Sequence, residues 1–186
     1  DKTLLKADLK NLDKVEIKPP NGDVMKVEKD KQGGWRITRP SERSADDKTL
    51  TGVLDTLKKA KIKKFIGETP LTLEPYGLDD PYEYSFSSLI DGSSVTLLIG
   101  DPVEGDQTVY AKFKDLSDVF TIGKELWDKM PKTFFHLRNK KVITYSNLDI
   151  QKLEIEYEGE VLRSERESDT EWNITSPQDI KADYYA

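Results

Sequence analysis

One histidine, the neighbouring aspartates of a Gly- and Pro-flanked loop, a glutamate-rich strand and a run of lysines are the residues of this 186-residue chain whose types and spacing could do chemistry. His136 is the only imidazole and stands among Phe134, Phe135 and Leu137. With no cysteine in the chain, a single imidazole falls short of a zinc site of ordinary composition. A Ser-His-Asp triad would have to use His136, yet no G-x-S-x-G elbow exists. His136 therefore reads as a partly packed or surface side chain. Asp79 and Asp80 lie between Gly77 and Pro81. Paired carboxylates divide acid and base roles when their surroundings separate their pKa values, but neighbours in a turn more commonly cap backbone N–H groups. Glu154, Glu156 and Glu158 alternate along a strand without the D-x-D-x-D-G loop of a calcium site, and read as the wet face of an antiparallel sheet.

The segment KKAKIKK, residues 58–64, is the one charged run that suggests a surface. Its five lysines, Lys58, Lys59, Lys61, Lys63 and Lys64, are the candidate binding patch. Beside a membrane, each would contribute about 1 kcal/mol toward anionic lipid. The plainer reading is a helix C-terminus running into an exposed strand. Trp35, Trp127 and Trp172 invite carbohydrate stacking, but two of them recur in equivalent settings, as core anchors do. The glycines of IGDPVEG lack phosphate-loop spacing, and the N-I-T sequon at 173–175 falls inside an expected strand. No catalytic residue, metal or cofactor is expected.

Composition narrows the classes further. Charged residues make up 34% and hydrophobic residues 35%, with 29 basic side chains against 35 acidic ones, a net charge of −6. A nucleic-acid partner is not expected, because phosphate neutralisation normally demands a basic excess. A chain this long buries roughly 70% of its unfolded surface, enough for a core. No apolar run approaches the roughly 20 residues that span a bilayer. Asp1 opens the chain in place of Met, which suggests that upstream residues, an anchor or signal among them, have been removed.

These residues must be positioned by a β-rich scaffold. KVEIK at 14–18 alternates with strand period, Asn21-Gly22 favours a hairpin turn, and VMKVEKD and WRITR continue a three-stranded antiparallel meander ended by Pro40. Leu50, Val53, Leu54 and Leu57 then fall on one helical stripe, with Asp46 and Asp47 at its start and Lys58, Lys59 and Lys61 at its end. Strands are expected at KIKKFIG, YEYSFSSLI, SVTLLIG, TVYAKF and DVFTIG, a helical turn before Gly77, and a helix over 124–130. TFFHLRNKKVITY is compatible with a helical turn or a strand.

The meander then returns. At an offset of 137 residues, Trp35, Ile37, Thr38, Pro40, Ala45 and Asp46 fall on Trp172, Ile174, Thr175, Pro177, Ala182 and Asp183, six identities in twelve positions. One residue of slack aligns Val15-Glu16-Ile17 with Leu153-Glu154-Ile155. The expected fold is α+β: antiparallel β-meanders with one or two packed helices, a β-β-β-α unit at 12–146 and a second, truncated copy at 147–186. The second copy's strands are expected to pack on the first domain or extend its sheet, and its helix to start at Asp183, so that the natural chain continues past Ala186.

Taken in order, W-R-I-T-R-P followed by A-D, Y-G-L-D-D-P at 76–81, L-L-I-G-D at 97–101, V-Y at 109–110, V-F-T-I at 119–122 and L-R-N-K at 137–140 resemble a bacterial domain-of-unknown-function family, number 4340. The likeness covers about residues 14–186, and Asn139 stands where that family is expected to carry an acidic residue. The resemblance implies an extracytoplasmic, membrane-anchored envelope protein of repeated units, near ABC-type transport or gliding-motility components, with no catalytic residues to carry over. The expected role is a non-catalytic binding or scaffolding module of a bacterial cell-envelope complex whose partners are other envelope proteins. The alternative is a small-ligand or glycan binder with a pocket between the units, and an enzyme using Asp79 or Asp80 comes last.

Overall fold

The computed structural model describes residues 3–5, 12–20, 22–68, 70–141 and 145–182, and the chain forms two compact units, Asp1–Lys140 and Lys141–Ala186. The expected turn at Asn21 and the helix start expected at Asp183 lie outside the described residues.

In the first unit, β1 (Lys14–Lys18), β2 (Met25–Lys29) and β3 (Trp35–Arg39) form the meander read from their alternation. Pro40 does not end the sheet, as expected from its missing N–H. It follows a cis bond, and the chain folds back as β4 (Arg43–Ser44) beside β3. A two-residue strand is too short to carry any periodicity. Helix α1 (Asp47–Lys59) follows, capped by Asp46, whose side chain accepts from the amide of Thr49 at 3.1 Å. Then come β5 (Ile62–Glu68), a 3₁₀ turn at Glu74–Tyr76, β6 (Tyr82–Ser87), β7 (Ser94–Pro102), β8 (Thr108–Phe113), β9 (Asp118–Gly123), α2 (Lys124–Lys129) and α3 (Phe134–Leu137). The ambiguous segment opens with α3, a single helical turn, while its residues 142–144 lie outside the described residues.

The strands join in one antiparallel sheet of order β4-β3-β2-β1-β6-β7-β8-β9-β5. The seam is β1 against β6, with Val15 opposite Phe86. The face that α1 covers is the main core: Leu50, Val53, Leu54 and Leu57 share one buried cluster with Val15, Ile17, Val27, Trp35, Ile37, Phe86 and Leu97. Burying a side chain of this size contributes about 1.5–3 kcal/mol, so the helical stripe is what holds α1 on the sheet. At the far edge, β5 pairs among the described strands with β9 alone, and its ladder is broken twice, at Ile62/Lys64 and at Phe65/Gly67.

The second unit holds β10 (Lys152–Tyr157), β11 (Glu160–Arg166), β12 (Trp172–Ser176) and β13 (Ile180–Lys181). These four strands make an antiparallel sheet of their own, so of the two arrangements expected for them, packing on the first domain or extending its sheet, the extension does not occur. Their ladder repeats, residue for residue at the 137 offset, that of β2 to β4. Lys29↔Trp35 answers to Arg166↔Trp172, Val27↔Ile37 to Ser164↔Ile174, and Arg36↔Ser44 to Asn173↔Lys181. The bulge between Lys26 and Val27 recurs between Arg163 and Ser164, and Ser176-Pro177 is cis like Arg39-Pro40. The glutamates of β10 do face water, but Leu153 and Ile155 on its other face are also 42% and 50% exposed.

Candidate functional site

The five candidate lysines are all exposed, and among the described residues none of them pairs with a carboxylate. The fold divides them. Lys59 at the end of α1, Lys61 in the connection and Lys63 at the start of β5 line one open groove of about 410 Å³. Lys58 and Lys64 do not line it. The fourth cation of the groove is Lys129 of α2, which pairs with Glu125 one turn earlier at 3.0 Å. Sequence reading missed Lys129 because 66 residues separate it from Lys63 and only the packing of α2 brings it across. Asp55 and Glu125 are the groove's acids. Four ammonium groups against two carboxylates leave a local charge of +2 on a chain of −6.

Such a groove can hold an anionic group by charge. Lysines act as strongly hydrated point charges on flexible stems, suited to phosphate-like oxygens without bidentate geometry. Lys132, just after α2, is committed elsewhere. Its Nζ lies 3.9 Å from the Trp127 ring centroid and donates to the carbonyls of Trp127 at 2.6 Å and Met130 at 3.2 Å. Burial lowers its pKa from the ordinary lysine value. It closes the C-terminus of α2, where cations and free carbonyls attract.

The other candidates fall into structural places. His136 is exposed, with Nδ1 accepting from the amide of Lys132 at 3.5 Å. Asp79 and Asp80 are both exposed in their loop. Among the described residues no group of three or more His, Asp or Glu side chains could hold a metal ion. Trp35 is 4% exposed within the core, while Trp127 lies edge-on to Tyr82 with ring centroids 5.0 Å apart. Trp172 is half-buried beneath Arg166, 4.6 Å from its ring.

The short motifs spread along the chain meet as joints. Leu78, Leu98 and Val119 form a second buried cluster, flanked by Tyr76 and Tyr110, whose rings meet edge-on at 5.1 Å. Three motif segments and a Val-Tyr pair thus share one small apolar seam. Gly77 takes φ 61° to end the 3₁₀ turn, and a side chain on Gly100 would collide with the carbonyls of Tyr76 and Gly77. The amide of Asp46 donates to the carbonyl of Leu137 at 2.8 Å, and that of Asn139 to Ser44 at 2.9 Å, which ties the Ala45-Asp46 motif to the Leu137–Lys140 motif. Asn139 makes this bond through its backbone amide. No described helix is long and apolar enough to cross a membrane.

No curated protein and no solved structure matches the chain. One family model does, over residues 35–186, from the first motif tryptophan through both units. The chain belongs to the family Domain of unknown function (DUF4340).

Proposed function

We propose that this chain is a non-catalytic binding or scaffolding module of a bacterial cell-envelope complex, on the extracytoplasmic side, built from one β-β-β-α unit used more than once. The observation that carries this reading is the ladder shared by β2–β4 and β11–β13, which extends to the position of the bulge. A bulge is a local, costly irregularity and a sensitive marker of copied geometry. The motif residues support the same reading, because they close joints in the scaffold. The lysine groove is the surface by which the module meets an anionic partner, such as an acidic protein face or phospholipid headgroups. Transport or gliding-motility machinery is the setting we favour.

Crosslinking of the full-length protein in native membranes tests the proposal. One reproducible partner is expected, with its yield reduced when Lys59, Lys61 and Lys63 are replaced together by Glu. A monomer under every crosslinking condition overturns the reading.

A further inference from the structure

The two sheets differ in what lies over their apolar faces. In the first unit Val15, Ile17, Val27, Trp35 and Ile37 are at most 4% exposed, sealed with Leu50, Val53, Leu54 and Leu57 of α1. In the second, the positions equivalent by register are Leu153, Ile155, Ser164, Trp172 and Ile174. Directly opposed residues of an antiparallel pair point to the same side. The pairings Leu153↔Ser164↔Ile174↔Ile180 and Ile155↔Leu162 therefore place all of these on one face. The opposite face carries the ion pairs Lys152–Glu165 and Glu154–Arg163, both at 2.7 Å. One side is built for water and the other is not. Yet Leu153, Ile155, Leu162 and Ile180 are 42%, 50%, 38% and 51% exposed. A contiguous apolar patch on a small sheet marks an interaction site, since a lone meander buries too little to stand by itself.

We infer that this face is the seat of an amphipathic helix of the α1 type, with apolar side chains at the spacing of Leu50, Val53, Leu54 and Leu57. The inference rests on the repeated unit proposed above and adds what the uncovered copy binds. Three features besides the apolar row point to a helix. The amide of Ala45 donates to the carbonyl of Trp35 at 3.0 Å just before α1, and that of Ala182 donates to Trp172 at 2.8 Å. The chain therefore leaves β13 by the hydrogen bond with which it leaves β4. A small residue occupies this exit in both units, which lets a helix approach closely. Lys29 lies 5.3 Å over the Trp35 ring and Arg166 lies 4.6 Å over Trp172, so the same cationic rim borders both faces. Trp172 and Ile174, the counterparts of Trp35 and Ile37 in the core cluster that contains α1, remain half-buried.

The test grafts Asp46–Ala60, the α1 sequence with its cap, directly after Ala182 in the otherwise whole chain. Tethering supplies the helix at millimolar effective concentration, which overcomes the marginal stability of a helix this short. Amide hydrogen exchange in β10, β11 and β12 is then compared with that of the unmodified chain. Slowing on the order of tenfold or more is expected, with return to the unmodified rates in the graft carrying Ile155→Asp. A second graft, with its copies of Leu50 and Leu54 changed to Asp, keeps the cap and length but removes the stripe, and should give no slowing. Equal exchange with and without the graft, or slowing that survives Ile155→Asp, overturns the inference. So does sedimentation of the unmodified chain as a dimer that Ile155→Asp dissociates, because a second copy would then be the occupant. Failure of the membrane crosslinking leaves this readout unaffected, and unchanged exchange leaves the envelope partner standing.

Discussion

Gly100 runs so close to the carbonyl oxygen of Tyr76 that position 100 has no space for a β-carbon. The obstacle is backbone on both sides, so neither strand β7 nor the 3₁₀ turn can yield by rotating a side chain. Gly100→Ala is expected to cost about 2 kcal/mol or more. At Gly77 the positive φ costs about 1–2 kcal/mol for any β-carbon, while the exposed Asp101 side chain can swing away. Urea unfolding should therefore rank Gly100→Ala as the more damaging change.

Asp46 links helix stability to acid. The amide of Thr49, donating to its carboxylate, is the chief reason its pKa lies below the ordinary aspartate value. A depressed carboxyl stabilises fully above the unfolded value of about 3.9 and loses that contribution as pH falls through the folded value. Asp46→Ala should cost about 1 kcal/mol at pH 7. The cost should shrink below about pH 4. Asp46→Asn keeps a capping oxygen without the charge and should restore most of the loss. Thermal unfolding across pH reads all three.

Glu83 gives a smaller acid signal. Hydrogen bonds from Lys114 at 2.8 Å and Lys18 at 2.9 Å lower its pKa, with the Lys114 bond the larger cause. Both lysines reach it from solvent, so screening keeps their contribution small. Glu83→Gln should leave neutral stability nearly unchanged and flatten the acid limb just below the usual carboxylate range, measured by the same titration.

The lysine groove predicts a charge-selective surface. Replacing Lys59, Lys61 and Lys63 together by Gln should weaken binding to anionic phospholipid vesicles on the order of a hundredfold, at about 1 kcal/mol per lysine. Lys58→Gln with Lys64→Gln, outside the groove, should do markedly less. Vesicle co-sedimentation at two salt concentrations measures this, and indifference to salt would exclude the electrostatic account.

The two tryptophans should separate by burial. Trp35→Ala removes a buried ring and should cost about 3–5 kcal/mol. Trp172→Ala should cost less than half as much, because its ring is already partly wet. Urea titration followed by hydrogen exchange assigns each loss to its own sheet.

What the sequence revealed follows the range of the forces involved. Helix α1 was legible to the residue at its start, since an apolar stripe and a capping Asp are local signals. The main strands were legible for the same reason. The two-residue strands β4 and β13 carry no period, and the β1–β6 seam joins residues about seventy apart in sequence, Val15 and Phe86, that share no pattern. The groove was half visible: Lys59, Lys61 and Lys63 are neighbours in sequence, whereas Lys129 arrives only through the packing of α2. The open apolar face of β10–β12 was hidden altogether, because alternation reports which residues share a side and not whether anything covers it.

Strand β5 ends the nine-stranded sheet with two breaks in its ladder and lysines at 63 and 64. A flat outer strand would invite a neighbouring molecule to add on sideways, and interrupted spacing with repelling cations prevents that. A sheet edge interrupted in this way resists lateral addition of a second molecule even at high local concentration.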